Sequence, residues 1–284
     1  MTSTSVRFES GAVGTWGEPD TFEVTRERIA AYAAATNDPI AAHLAGDIGS
    51  PIFAIVPSFM SIMQVAFTVA PPEVAMRVVH GEQDFRFHRP IRPGDVISTR
   101  AKPIGFAGAS NGTSAAFLLE CRDADGEVVN EQYMTAFFRG VDVGETVGTL
   151  APAHKFDESL RATDPVAVVT QHVDDDQTFR YSPASGDPMP IHLDADIAKS
   201  AGLPGIIAHG LCTQAFTSWV VLTALGLEST QLRRHAVRFA KPVLPGQDIT
   251  TSIWRAAPGA YAFETKVGDT VVVKDGLAEI AEES

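Results

Sequence analysis

The alternation of apolar and polar positions divides the chain into helical and strand segments, and the same order occurs twice. Residues 210–227 carry apolar side chains at helical spacing and predict one long, mostly buried helix. Residues 58–69 have the same character in the first half. Alternating segments separated by Pro-Gly and Gly-Asp turns follow and predict strands over residues 237–240, 248–255, 261–267 and 270–273. A long helix followed by antiparallel strands predicts an α+β fold, with a sheet wrapped around the helix.

Shorter elements are predicted around residue 190. The acidic run 174–176 suits a helix N-terminus. Pro188 and Pro190 predict an extended loop, because a residue that precedes proline avoids the helical region. Residues 194–201 predict a short helix that ends at Gly202. A glycine-rich segment of the first half predicts a flexible loop: Gly105, Gly108 and Gly112.

The chain repeats its own motifs. At an offset of 149 residues, seven identities fall in one 17-residue window: Tyr32 aligns with Tyr181, Asp38-Pro39 with Asp187-Pro188, His43-Leu44 with His192-Leu193, and Asp47-Ile48 with Asp196-Ile197. At an offset of 152, residues 86–94 align with residues 238–246. A repeat of this length indicates duplication of one unit. We predict an N-terminal unit over residues 1–145 and a C-terminal unit over residues 146–284, joined near the Asp- and Gly-rich stretch 141–157.

The second copy of the motif resembles the active-site segment of the MaoC-like, or hydratase 2, family. That family has Tyr, then Ser/Gly-Asp-x-Asn-Pro-x-His, then Ala or Ser six residues after the His. The matching positions are Tyr181, Ser185, Gly186, Asp187, Pro190, His192 and Ala198. Residues 204–213 resemble the start of the family's central helix. The resemblance implies a double hotdog fold, in which each of two repeats is an antiparallel sheet wrapped around a long central helix.

Asp187 and His192 are the predicted catalytic residues. A carboxylate and an imidazole that share one water suit the addition of water to a 2-enoyl thioester. The resemblance implies syn hydration to the (3R)-3-hydroxyacyl thioester, or the reverse dehydration, in fatty acid or related acyl metabolism. The backbone N–H of Gly210, at the start of the long helix, is the expected donor to the enolate oxygen. Three further residues are expected around the substrate: His209, Ser185 and Tyr181.

One position departs from the family's pattern, because Met189 stands where the family has Asn. This departure leaves open a non-catalytic subunit that binds acyl-CoA and partners another hotdog chain. An acyl-CoA thioesterase is a further alternative, ranked last because thioesterases lack this order of Asp and His. The three hypotheses predict different products from an enoyl thioester. A hydratase gives a hydrated thioester, a non-catalytic subunit gives no product, and a thioesterase gives free coenzyme A.

The first half repeats the pair as Asp38 and His43, so a second active site is conceivable. Aligning the Gly-x-Pro segments that precede the two long helices places Pro57 opposite Gly210. Proline has no N–H and cannot donate a hydrogen bond to an enolate oxygen. We therefore expect the first half to bind substrate without catalysing, and the resemblance likewise assigns catalysis to the second half.

Charge and composition narrow the partners. The 284 residues are 45% hydrophobic and carry a formal net charge of −13, which allows a sizeable core and disfavours nucleic-acid binding. We expect no cofactor, with coenzyme A present only as part of an acyl-CoA substrate, or an acyl-carrier-protein thioester in its place. Arg238 and Lys241 are weak candidates for contact with coenzyme A phosphates, and solvated surface charge is the competing interpretation.

Several absences are also expected. Residues 211–227 are too short and too polar for a membrane span, and the N-terminus lacks the apolar core of a signal peptide. Cys121 and Cys212 are expected as buried thiols of a cytoplasmic protein. A homodimer, or pairing with another hotdog protein, is left open. No metal site is expected, because the candidate ligands are too closely spaced along a helix start: His192, Asp194 and Asp196.

Overall fold

One continuous antiparallel sheet organises the chain, of which the computed structural model describes residues 6–281. The first half supplies β1 (Asp20–Glu23), β2 (Val78–Phe87), β3 (Val96–Ala109), β4 (Gly112–Arg122) and β5 (Val128–Arg139). β6 (Thr146–Gly148) joins the sheet of the first half by pairing with β3, although it lies just past the predicted boundary at residue 145. The second half supplies β7 (Ala167–His172), β8 (Leu232–Phe239), β9 (Asp248–Ala257), β10 (Ala260–Val267) and β11 (Thr270–Ile280). The strand order is β1-β3-β4-β5-β2-β8-β11-β10-β9-β7, and β6 pairs with β3. Read from either end, each half has the same order, as expected for a duplicated unit.

The two halves are joined where β2 pairs with β8, in a register that sets Glu82 opposite Arg238. Arg234 of β8 donates to both carboxylate oxygens of Asp84 on β2, each at 2.9 Å. Asp84 is 1% exposed, so this ion pair lies inside the seam between the halves. Because removing one partner of a buried pair leaves an uncompensated charge, loss of either side chain alone should destabilise this seam.

Within the described residues 6–281, six helices cover the sheet: α1 (Arg26–Ala35), α2 (Ala41–Leu44), α3 (Phe59–Val69), α4 (Gln177–Ser185), α5 (Ala195–Ser200) and α6 (Gly210–Leu225). The connections between elements, and the segment before β1, also contain short 3₁₀ stretches: Ser10–Ala12, Pro51–Ser58, Pro72–Arg77, Glu158–Ala162, Pro190–His192 and Ser229–Gln231. α1 packs against α4 across the approximate symmetry axis, and there the Tyr32 and Tyr181 hydroxyls lie 3.3 Å apart. These two tyrosines are the pair that the sequence repeat aligns.

The predicted long helix of the second half is confirmed as α6. It ends at Gly226, whose φ of +67° suits glycine, and the Leu227 N–H bonds the Leu222 carbonyl at 2.8 Å. The helix is buried on nearly all sides, and several of its polar side chains form hydrogen bonds within the core. The Gln214 amide, for example, donates to the His235 carbonyl at 3.3 Å.

The first-half counterpart differs at its start. Pro57 removes one backbone donor, and the chain runs as the 3₁₀ segment Pro51–Ser58 before α3 begins at Phe59. The combined stretch Pro51–Val69 has a mean hydropathy of 1.9 and is long and apolar enough to cross a membrane, a property that the sequence analysis did not identify. Here 67% of it is buried inside the protein.

Two predictions about the strands need correction. β8 begins at Leu232 and β11 extends to Ile280, so both strands are longer than predicted. The flexible loop predicted from glycines is wrong, because those glycines lie in the hairpin of β3 and β4. A Cβ at Gly105 would lie 2.4 Å from the Val147 carbonyl oxygen, so glycine there allows the close approach of β6.

Candidate active site

The loop after α4 carries the predicted pair. Gly186 ends α4 with a φ of +82°, and two prolines then restrict the backbone. The 3₁₀ segment Pro190–His192 turns the chain back, and Asp187 and His192 line the same cavity. The loop therefore brings together two side chains that an extended strand would hold apart.

Asp187 is held by its own neighbours. Its backbone N–H donates to Ser185 Oγ at 3.2 Å, and its Oδ1 accepts the Met189 N–H at 3.0 Å. Within residues 6–281, the other carboxylate oxygen forms no hydrogen bond with protein. Burial raises the pKa of Asp187, while the charge of His192 and the Met189 amide act in the opposite direction. One oxygen thus orients the carboxylate and the other is available to a ligand.

His192 has a defined tautomer. Its Nδ1 lies 2.8 Å from the Ile207 carbonyl oxygen, so Nδ1–H donates and Nε2 is left as the proton acceptor. Burial lowers the pKa of His192, against the opposing effects of the Ile207 carbonyl and of Asp187, and the ring is neutral at pH 7. A neutral imidazole with a fixed Nδ1–H is suited to general-base chemistry at Nε2.

The pair is spaced for a shared water. Asp187, His192 and His209 each present a nitrogen or oxygen atom, and all three atoms lie within 4.8 Å of one another. One water with hydrogen bonds of about 2.8 Å to each side spans such a gap. The His192 and His209 rings stack at 3.8 Å with 25° between their planes. Their in-plane lone pairs therefore run almost side by side, which suits a metal ion poorly.

His209 and Gly210 form the wall beside the pair. Burial lowers the pKa of His209 to about 2, so this ring is also neutral, and its Nε2 lies 3.4 Å from the Asp187 carbonyl oxygen. Gly210 is the first residue of α6, where backbone N–H groups have no acceptor within the helix. A Cβ at Gly210 would lie 3.3 Å from the Phe239 ring, so glycine lets that ring approach the helix start.

The cavity has a volume of about 370 Å³ and is built by both halves. The second half provides the pair, Gly210 and an apolar wall. The first half provides three lining residues from strands β2 and β5: Val79, His80 and Arg139. Sequence reasoning missed these three, because nothing in the local pattern of β2 or β5 indicates a site on the other half. A larger open hollow of about 770 Å³ beside Tyr261 contains neither Asp187 nor His192.

The other predicted site residues fall into two groups. Tyr181 is 1% exposed and bonds to Tyr32, and Ser185 holds the Asp187 backbone, so both support the loop from behind the cavity wall. Lys241 lines the cavity, whereas Arg238 lies outside the lining and 3.5 Å from Glu82. Asp194 caps α5 by accepting backbone N–H groups. The structure thus gives Lys241 the better position for a phosphate.

The repeated pair of the first half is arranged differently. His43 Nδ1 and Asp38 Oδ2 are 2.7 Å apart, and both residues are almost fully buried. His43 Nε2 lies 2.6 Å from the Ser229 hydroxyl of the other half. The pair is therefore occupied by protein partners on both sides, and Pro57 occupies the position that aligns with Gly210.

Two family models match the chain. The "MaoC like domain" matches residues 156–276, and the "FAS1-like, dehydratase domain region" matches residues 11–132. The chain is 31% identical over 214 residues to 3-hydroxyacyl-thioester dehydratase Y of Mycobacterium tuberculosis, covering 71% of this chain and 72% of that protein. It is 29% identical over 211 residues to a probable enoyl-CoA hydratase 2 of Dictyostelium discoideum, covering 72% of this chain and 70% of that protein.

Solved structures share the fold. A MaoC-like dehydratase from Phytophthora capsici superposes with a TM-score of 0.80 at 22% identity, covering 98% of this chain and 97% of that one. A Mycobacterium tuberculosis protein described as a double hotdog superposes with a TM-score of 0.62 at 14% identity, covering 95% and 96% of the two chains. The predicted α+β double hotdog fold is confirmed.

Proposed function

This chain belongs to the MaoC-like dehydratase family, and on that premise we propose that it interconverts trans-2-enoyl-CoA and (3R)-3-hydroxyacyl-CoA by adding or removing water. The observation that supports this most strongly is the placement of Asp187, His192 and the start of α6 around one cavity. The relatives named as a thioester dehydratase and an enoyl-CoA hydratase support the same reaction class.

The reacting water lies between the free Asp187 oxygen and His192 Nε2. The Asp187–His192 pair removes a proton from this water as the oxygen bonds to Cβ of the enoyl group. The pair then delivers a proton to Cα on the same face, so water adds in the syn sense. Since His192 is neutral at pH 7, it takes up a proton in one step and releases it in the next.

The thioester oxygen becomes an enolate oxygen during the addition and needs a fixed donor. The Gly210 N–H points out of the helix start and has no acceptor within the helix, and the helix dipole adds to its effect. Removing one preorganised donor of this kind from other enzymes raises the activation barrier by about 3–4 kcal/mol. The Phe239 ring forms the wall of the cavity beside this position.

Met189 does not argue against catalysis. The Met189 contact with Asp187 is made by the backbone N–H, which every residue other than proline supplies. Its side chain is 36% exposed and is not part of the cavity lining. The substitution of the family's Asn therefore leaves the orientation of the carboxylate intact.

Free acyl-CoA is the proposed form of the substrate. Arg139 and Lys241, one from each half, line the cavity and offer positive charge to phosphate groups in a chain of net charge −13. The acidic excess elsewhere repels an acidic carrier protein more than a flexible nucleotide tail.

The test is the loss of enoyl-thioester absorbance on adding crotonyl-CoA or longer enoyl-CoAs, followed by chiral analysis of the product. We expect loss of the band and the (3R) product. Release of a free thiol instead would indicate a thioesterase. Tight binding of the enoyl-CoA without any loss of absorbance at high enzyme concentration would indicate a non-catalytic subunit.

A further inference from the structure

A β-bulge in β2 turns His80 of the first half toward the cavity of the second half. Where β2 pairs with β5, His80 lies opposite Ala136 and Glu82 lies opposite Thr135, so Gly81 is an extra residue. A Cβ at Gly81 would lie 3.1 Å from the Thr135 carbonyl oxygen, so glycine suits the bulge. Successive side chains of a strand alternate between its faces, and one extra residue reverses that alternation.

His80 consequently shares the core face of β2 with Gln83 and Phe85, both fully buried. His80 Nε2 lies 3.0 Å from Gln83 Oε1, a contact made across the bulge. The Gln83 amide donates to Gln132 Oε1 at 3.2 Å, so Gln83 Oε1 is left to accept from His80 Nε2–H. The Gln132 amide donates in turn to the Ala54 carbonyl at 2.8 Å. This chain of hydrogen bonds ties the His80 ring to the core of the first half.

The His80 ring is neutral at pH 7. Burial lowers the pKa of His80 to about 4, although its hydrogen bonds to the Gln83 side chain and the Glu82 backbone act in the opposite direction. A neutral ring can pack against an apolar side chain without the cost of burying a charge there.

The apolar side chain that His80 contacts is Phe239 of the second half. The two ring centroids lie 5.0 Å apart with 67° between the planes, an edge-to-face arrangement. Both residues line the cavity that contains the Asp187–His192 pair. A Cβ at Gly210 would lie 3.3 Å from the Phe239 ring, so the same ring packs against the start of α6. Phe239 therefore lies between His80 and the residue whose N–H is assigned to the enolate oxygen.

We propose that His80 is a positioning residue of the hydratase, which holds Phe239 against the start of α6 and so keeps the thioester carbonyl aligned with the Gly210 N–H. This inference rests on the proposed function. Without the His80 ring, Phe239 loses its neighbour on the first-half side and turns away from Gly210. The first half, whose own Asp/His pair is closed, thus contributes to the reaction of the second half.

The test is a double-mutant cycle of His80→Ala and Phe239→Leu, with crotonyl-CoA as the substrate. We expect His80→Ala to lower kcat roughly 10- to 100-fold with little change in KM, because a small misplacement costs up to about 10²-fold and the enolate contact acts in the transition state. The double variant should be no slower than Phe239→Leu alone, because His80 acts through that ring. His80→Phe should recover most of the lost kcat, since it restores an aromatic neighbour.

His88→Ala is the matched control, because His88 lies just past the end of β2, is 50% exposed at its side chain and is not part of the cavity lining. It should match wild type. Melting temperatures are measured on every variant, so that loss of folded protein is not counted as loss of kcat. If His80→Ala does not fold, His80→Leu, which fills the space without an aromatic ring, replaces it in the cycle.

Three results overturn the inference: a wild-type kcat in His80→Ala, losses that add in the double variant, or a His80→Phe variant as slow as His80→Ala. Absence of hydration by the wild-type protein would instead overturn the proposed function. Hydration that does not depend on His80 would leave the proposed function intact, so the two failures are distinguishable.

Discussion

His43 bonds directly to Asp38 at 2.7 Å, although the same two residue types at the same spacing in the second half stand apart around a cavity. The difference lies in the acceptor to which each histidine's Nδ1–H donates. His192 Nδ1 bonds the Ile207 carbonyl, which leaves Asp187 free to share a water. One motif has therefore given an open reactive pair in one half and a closed pair in the other.

The carbonyl of Ala54, which aligns with Ile207, explains the closed pair. In the 3₁₀ segment Pro51–Ser58 it accepts from the Ser58 hydroxyl at 2.9 Å and from the Gln132 amide at 2.8 Å. It is thus occupied, and His43 turns to its own carboxylate. Pro57 lies in the same 3₁₀ segment as Ala54. One segment therefore both lacks the N–H donor at position 57 and occupies the Ala54 carbonyl.

We expect Gly210→Pro to abolish most hydration while leaving the fold intact. Proline is well tolerated at the first position of a helix, and His209 already has the extended backbone, with ψ of +133°, that precedes proline. The substitution removes the N–H and should lower kcat roughly 10²- to 10³-fold. The measurement is kcat with crotonyl-CoA beside the melting temperature.

Gly210→Ala is the control for that change. It adds a Cβ at 3.3 Å from the Phe239 ring but keeps the N–H, so it reports the steric effect alone. We expect it to retain much more activity than the proline variant. Equal losses in the two variants would show that the N–H has no special role.

Lys241→Ala should raise KM for enoyl-CoA with little change in kcat, because this side chain lines the cavity but is remote from the bond changes. The difference from wild type should shrink at high salt, since screening weakens contact with phosphate. Arg238→Ala is the comparison, as Arg238 pairs with Glu82 outside the lining. An equal rise in KM for both variants would contradict the assignment.

The rate should fall in acid as the Asp187–His192 pair takes up a proton. Burial raises the pKa of Asp187 above its ordinary value of 3.8 and lowers that of His192 below 6.5. The reactive form has the carboxylate charged and the imidazole neutral, and it is lost as the pH falls and the pair takes up a proton. A profile of kcat/KM against pH measures this as one coupled titration. An acid limb that begins only below pH 3.8 would contradict the raised pKa of Asp187.

Stability should also fall in acid, through buried histidines. Burial lowers the pKa of His235 to about 3, and an unfolded histidine titrates near 6.5. Between these values the unfolded chain binds a proton that the folded chain does not, so the free energy of unfolding falls as pH falls. His235→Asn should reduce that slope by about 1.4 kcal/mol per pH unit, as measured by denaturation between pH 6 and 4.5. An unchanged slope in the His235→Asn variant would show that His235 is not responsible for the pH dependence of the free energy of unfolding.

Sequence alone predicted the elements that depend on local periodicity. It predicted α6, the duplication, the loop that brings Asp187 near His192, and the absence of a donor at Pro57. The sequence could not predict that Arg139 and Ser229 line cavities, because the other residues around each cavity belong largely to the other half. Such contacts are set by the packing of the two units.

The two Asp/His pairs have the same spacing in the sequence, and this spacing did not predict that their geometries differ. Asp38 and His43 match the second pair residue by residue, yet the acceptor chosen by each histidine is decided by a carbonyl far along the chain. The glycines of the β3–β4 hairpin were misassigned for a similar reason. Gly105 is required by β6, a strand about 40 residues later, and not by local flexibility.

The most direct test of the account is the hydration rate of two variants, Asp187→Asn and His192→Gln, at pH 7. The exposed substitutions Asp196→Asn and His172→Gln serve as matched controls for the loss of a carboxylate and of an imidazole. We predict that each cavity variant keeps its melting temperature within a few degrees and loses about 10²- to 10⁴-fold in kcat, while the controls match wild type. Hydration at the wild-type rate in either folded cavity variant would contradict the account.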